Sequence, residues 1–277
     1  MKRLSVLLAA LVLALPAQAG PVETGVSYLR ARQQADGGFA EPGRNPDPAL
    51  TAWVALALRA AGRPVERTTA DYLARAGHAS ASVADLALRV MALDAHGTAA
   101  AALTERLEGS RRRDGRIGPL VNSTSWAVLA LRSVGRPAGT RTIRYLLRAQ
   151  HRSGGWSWHP RGAPDSNDTA ATIQALRAAG IGGAPVRRGL AYLRRTQNRD
   201  GGFALARGRP SDAQSTAWAI QAFFAAGRPP GKRAYAYLSR LRRRDGSFRY
   251  SRRYATTPVW VTAQVLPALV RKPFPLR

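Results

Sequence analysis

A period of about forty residues runs through this chain and limits its fold more than any other feature. Tyr-Leu pairs fall at Tyr28-Leu29, Tyr72-Leu73, Tyr145-Leu146, Tyr192-Leu193 and Tyr237-Leu238, with Arg106-Leu107 at the one remaining place. Eight residues beyond these first positions stand Asp36, Ser80, Asp114, Ser153, Asp200 and Asp245, and glycine follows in five of the six. Successive units are 44, 34, 39, 47 and 45 residues apart, so six of them fill residues 20–277. A unit of this length is one supersecondary element that buries its apolar side only against its neighbours.

Each unit has the same grammar. A short amphipathic run such as VRRGLAYLRRTQ reads as a helix, and NRDGGF stops it, because Asp-Gly and Gly-Gly admit the positive φ that a helix end needs. A polar loop follows, then a more apolar run: TAWVALALRAAG from Thr51, STSWAVLALRSVG from Ser123, DTAATIQALRAAG from Asp168 and STAWAIQAFFAAG from Ser215. These runs are apolar nearly all round and end in glycine, with proline just beyond in Gly62-Arg63-Pro64, Gly135-Arg136-Pro137 and Gly227-Arg228-Pro229. A helix of that kind belongs inside. The pattern therefore predicts an all-α fold of six outer-inner helix pairs, without strands. No unit looks like a polar cap, which favours closure into a ring over an open array.

The first nineteen residues read differently from the rest. Lys2 and Arg3 precede an apolar run from Leu4 to Leu15, and Ala17-Gln18-Ala19 follows, which is the pattern of a secretory signal peptide cleaved after Ala19. The run is shorter than the ~20 residues that span a bilayer. The expectation is an exported, monomeric protein of residues 20–277, in a periplasm, on a wall or in the medium, with no transmembrane segment. It has no cysteine, so packing must supply its stability. The formal charge of +27 is almost wholly arginine, the only lysines being Lys2, Lys232 and Lys272. Such a surface suits an anionic envelope partner, and export argues against nucleic acid.

Arg188-Gly189-Leu190-Ala191-Tyr192-Leu193, followed by Gln197 and Gly201-Gly202-Phe203, resembles the QW repeat of squalene-hopene and oxidosqualene cyclases, with Phe203 at the place of the last tryptophan. Gln150 to Trp156 matches the end of that motif, and Gln33 to Phe39 is similar to the turn shared with protein prenyltransferase β subunits. The resemblance covers essentially all of residues 20–277. It implies an (α/α)6 toroid, a single domain whose six inner helices surround a central cavity with the outer-to-inner loops at one rim.

In those cyclases an alkene is protonated by the middle aspartate of Asp-X-Asp-Asp-Thr-Ala. On Asp165-Ser166-Asn167-Asp168-Thr169-Ala170 that position is Asn167, and an amide is no strong Brønsted acid. A cyclase-type isomerase would have to use Asp165 or Asp168. The same places in other units read Asp47, Asn122-Ser123 and Ser211-Asp212, each just before an alanine-rich helix, so capping of free backbone N–H groups accounts for much of the motif. If the ring closes, the inner-helix N-termini and their free N–H groups face one rim and favour an acceptor or anion there. Below them Trp53, Trp126, Trp218 and Trp260 would form an aromatic wall. The candidate ligand-binding residues are therefore Asp47, Trp53, Asn122, Trp126, Asp165, Asn167, Asp168, Asp212, Gln214, Trp218 and Trp260.

Other chemistries lack their residues. The resemblance to prenyltransferases implies a zinc site with a cysteine, which this chain does not have. His78, His96, His151 and His159 show no metal-ligand spacing. No Ser-His-Asp signature, phosphate loop or dinucleotide fingerprint is present. Neither metal nor cofactor is expected, and the expectation leans to binding without catalysis. The helical domain of cobalamin carriers also resembles this toroid, which implies a corrinoid or isoprenoid ligand, or a separate β-domain partner.

Overall fold

The computed structural model describes residues 20–77, 82–94 and 98–276. The signal peptide read at residues 1–19, the repeat position Ser80, and His78 and His96 lie outside the described residues. Among the described residues there are twelve helices and no strand. The outer helices are α1 (Pro21–Arg30), α3 (Arg67–Arg75), α5 (Thr98–Gly109), α7 (Thr140–Arg148), α9 (Gly183–Thr196) and α11 (Lys232–Leu241). The inner ones are α2 (Pro48–Ala60), α4 (Val83–Leu93), α6 (Val121–Ser133), α8 (Ser166–Ala178), α10 (Ala213–Ala225) and α12 (Pro258–Leu269). Each inner helix packs on the next, and α12 packs on α2, so the inner layer is a closed ring. The fold is an α/α toroid.

Sequence dictates this layering through a few repeated positions. Thr51, Thr124, Thr169, Thr216 and Thr262, with Leu86 in α4, stand near the start of the inner helices. Six residues later every inner helix carries alanine: Ala57, Ala92, Ala130, Ala175, Ala222 and Ala268. All six are buried. The threonine hydroxyls take the N–H of the residue that ends each outer turn: Phe39, Ile117, Trp156, Phe203 and Phe248, at 2.8–3.1 Å. Outer and inner helix of a unit are thereby tied at one buried point.

The Asp-Gly turn joins one unit to the next. At Gly201 φ is +89°, and a Cβ there would lie 2.5 Å from the carbonyl oxygen of Arg233 on the following outer helix. Only glycine allows both the conformation and the approach. Gly246 makes the same approach to Thr24, so the last turn packs on the first outer helix. The inner seam is closed by Glu41, whose carboxylate accepts from the backbone N–H of Val259 (3.1 Å) and Trp260 (2.9 Å) at the start of α12. An anion at a helix N-terminus is favoured by the dipole.

In the second unit, whose sequence lacks both the Asp-Gly pair and the threonine, a buried arginine on α4 ties the inner helix to the end of its own outer helix. Arg89, 1 % exposed, donates to the carbonyls of Leu73, Ala76 and Gly77 at the end of α3. Burial lowers its pKa. At the opposite rim from the loops, Arg132 and Arg177 each donate through Nε to a carbonyl of the next inner helix, Ala178 and Ala225, both at 3.1 Å. Part of the arginine excess is thus spent on helix C-termini.

Candidate functional site

The loops gather at the rim where the inner helices begin, and that rim is the mouth of the toroid. The side chains of Asp47, Asp165 and Asp212 cap α2, α8 and α10, accepting from the N–H of Leu50 (2.7 Å), Asp168 (2.8 Å) and Ser215 (2.7 Å). The capping role read from the sequence holds for these three. Asn122 differs: α6 begins at Val121, so Asn122 lies inside the helix and is no cap. Asn167 likewise lies inside α8, behind the cap Asp165.

Free N–H groups, expected at the rim, are largely absent. The loop of the next unit supplies a carbonyl to each of three inner helices: Trp158 accepts from Val121 and Asn122, Leu205 from Ser166, and Tyr250 from Ala213. Glu41 does the same for α12. In four of the six inner helices, α6, α8, α10 and α12, the loop of the neighbouring unit thus takes up N–H groups at the helix start.

Below the mouth the axis is closed. Two residues after the repeated threonine, the inner helices carry Trp53, Leu88, Trp126, Ala171, Trp218 and Gln264, so large and smaller side chains alternate round the ring. The three indoles reach the axis and meet: Trp53 and Trp126 at 5.3 Å, Trp126 and Trp218 at 5.3 Å, Trp53 and Trp218 at 5.9 Å between ring centroids. All three are buried, and the Trp218 indole N–H donates to Gln264 Oε1 at 2.7 Å. The expected aromatic wall of a cavity is instead a floor made by the tryptophans themselves. Phe274, from the segment after α12, packs under it, 6.0 Å from both Trp53 and Trp126.

One helical turn above this floor, four residues earlier on the same face, stand Ala49, Ala84, Asn122, Asn167, Gln214 and Trp260. All six are half-buried. By register, three amides, one indole and two alanines therefore form the layer of inner-helix side chains next to the mouth, the cup. Trp260 is apart from the other tryptophans. It borders a cleft of about 410 Å³ at the seam, with Glu41, Arg44, Asn45, Asp47, Leu50 and Thr257 as the other walls. Thr257 has φ of +46°, an uncommon conformation for a β-branched residue.

Asp168 is the more strongly perturbed of two acids beside the cup. It is 6 % exposed and accepts from Asn122 Nδ2 at 2.5 Å. Burial pushes its carboxyl up to about 8, and the charge and hydrogen bond of Asp165 push the same way, against the donation from Asn122. At neutral pH it is largely a neutral acid. Asp212 is also raised, to about 6, because burial outweighs the hydrogen bonds from Ser215 and Gln214. His151 and His159 are exposed, and among the described residues no cluster of His, Asp and Glu could hold a metal ion.

Of the candidates, then, Asn122, Asn167, Gln214 and Trp260 share the cup, and Asp168 supports its wall. Asp47 and Trp260 share the seam cleft. Trp53, Trp126 and Trp218 form the floor, while Asp165 and Asp212 are caps. Glu41, Gln174, Gln264 and Phe274 were not found by sequence reasoning. The glutamines had a signal, since a lone amide inside an otherwise apolar helix marks an inward polar group.

Residues 184–257 match the family model described as the prenyltransferase alpha-alpha toroid domain. No curated protein matches the chain by sequence. Similar solved structures include a protein from Actinoplanes (TM-score 0.68, 20 % identity, covering 90 % of this chain and 97 % of that one). Another is the type II terpene cyclase MstE from Scytonema (TM-score 0.68, 16 % identity, 91 % and 97 % covered), a variant of which holds geranylgeranyl dihydroxybenzoate as substrate. A third is a glycosidase variant in complex with glucose (TM-score 0.63, 10 % identity, 90 % and 95 % covered). The common element is the fold.

Proposed function

We propose that this toroid binds a large, partly apolar ligand at its mouth and does not transform it. One observation carries the reading: the axis beneath the mouth is filled by the indoles of Trp53, Trp126 and Trp218, whose 5.3–5.9 Å spacings leave no room for a carbon chain between them. The residue that faces the mouth where the resemblance puts a proton donor is Asn167, an amide. Asn122, Asn167 and Gln214 offer donors and acceptors together, and Trp260 offers a flat apolar face. That mixture suits an isoprenoid with an aromatic or polar head, and next a corrinoid. Such a pocket orients a ligand by a few polar groups on an apolar surface.

Native mass spectrometry tests this directly. Residues 20–277 mixed with geranylgeranyl dihydroxybenzoate, or with cobalamin, should retain one ligand of unchanged mass. Asn122→Ala combined with Gln214→Ala should weaken retention about tenfold. Conversion of the ligand, or retention unaffected by the double substitution, contradicts the proposal. Export belongs to the same reading and rests on residues 1–19, so the protein recovered from its host should begin at Gly20.

A second reading has its own support. Asp168, held neutral at pH 7, is the group from which a type II cyclase mechanism would draw its proton. A carboxyl with so high a pKa is a weak donor toward an alkene, which is why this reading stands second. Turnover of a polyprene that disappears in Asp168→Asn would move it to first place.

A further inference from the structure

On the side of the indole floor away from the mouth, the chain fills its own axis. After α12 the backbone turns at Arg271, where φ is +60°, and Phe274 enters the ring. Phe274 is 3 % exposed, with its ring against Trp53 and Trp126. Its N–H donates to Gln174 Oε1 at 2.8 Å, across 100 residues of sequence. Leu276 is buried too, and its carbonyl accepts from Arg59 Nη2 at 3.5 Å.

The wall around this segment has two halves. One turn below the floor, α2, α4 and α6 carry Leu56, Met91 and Leu129, whereas α8 and α10 carry Gln174 and Gln221 at the same repeat position. Gln264 on α12 adds a third amide, in the layer of the floor, since its Oε1 takes the Trp218 indole N–H. Two atoms of this polar half have no hydrogen-bond partner although they are buried: Gln221 Oε1 and Gln264 Nε2. Phe274 and its neighbours satisfy Gln174 and leave an acceptor and a donor unused. Unpaired polar atoms in a sealed interior are a cost that a better-matched occupant removes.

We propose that this half of the axis is a second ligand site, separate from the mouth, which the segment carrying Phe274 fills and from which a ligand displaces it. It takes a compact molecule with an aromatic ring beside an amide-like group. The ring replaces that of Phe274 against Trp53 and Trp126, the N–H of the amide serves Gln174 or Gln221, and its oxygen accepts from Gln264 Nε2. The occupant seen here has the first two of these features and lacks the third.

N-acetylphenylalaninamide is a suitable probe, followed by calorimetry and by the emission of the buried tryptophans. The Phe274→Ala protein should bind it about tenfold more tightly than the unaltered chain, because the tethered competitor is gone. Adding Gln264→Leu should reverse that gain by about tenfold. Equal affinity of Phe274→Ala and the unaltered chain, or no effect of Gln264→Leu, overturns the proposal. A second measurement needs no variant that leaves a hole. In the unaltered chain labelled with fluorophenylalanine, saturating probe should move the Phe274 resonance to a solvent-exposed position, and an unmoved resonance at saturation overturns displacement.

Discussion

At the scale of single residues, Asp168 gives the clearest solution signature. In the unfolded chain its pKa is near 3.9, whereas in the toroid it rises to about 8. Between those values the folded state holds a proton that the unfolded state has released, so stability falls as pH rises through the window. Asp212, at about 6, contributes with the same sign over the lower part. In Asp168→Asn the new amide can donate to Asp165 and accept from Asn122, as the neutral acid does. The melting temperature of this variant should therefore be flat between pH 6 and 8 where the parent declines, and equal slopes in thermal melts would refute the assignment. Trp126 tests the floor: Trp126→Ala removes the indole that touches Trp53, Trp218 and Phe274, and should cost about 3–5 kcal/mol by chemical denaturation.

At the scale of elements, the threonine peg ties outer to inner helix in five of the six pairs, and the Asp-Gly turn ties one unit to the next. Gly201→Ala combines a positive φ with a Cβ driven onto the Arg233 carbonyl, and a loss of about 2–4 kcal/mol is expected. Thr169→Val keeps the shape but strands the buried N–H of Trp156, for about 1–3 kcal/mol. If Thr169→Val proves as harmful as Gly201→Ala in urea melts, the turn is not the stronger joint. These elements were legible beforehand because Tyr-Leu, Asp-Gly and the alanine-rich runs are local patterns. Helix starts were less so: α6, α8 and α10 begin two residues before the runs at Ser123, Asp168 and Ser215. That offset decides that Asn122 and Asn167 face the mouth and do not cap it.

At the scale of the whole molecule, closure is the property to test. Gly246 against Thr24 joins the outer layer, and Glu41 on α12 joins the inner one. A ring has no end from which to fray, so its units should unfold together. Glu41→Ala removes the anion at the α12 N-terminus, worth about 1–2 kcal/mol. Amide exchange in that variant should rise first in α1 and α12, on either side of the seam. A uniform rise round the ring would mean that Glu41 adds to global stability without guarding the seam.

Amino-acid order alone determined the six pairs, the inner and outer assignment and the identity of the capping aspartates, because each depends on periodicity and on groups within a few residues. It also marked Asn167 as a departure from the acid motif it resembles. Only tertiary structure decided that three tryptophans from alternate helices would meet on the axis, and that loops would consume the helix N–H groups. The same holds for Phe274 closing the ring from beneath against Gln174. Each of those outcomes depends on where six separate helices place their side chains relative to one another. That is fixed by the packing of each inner helix on the next round the closed ring, which no single segment contains.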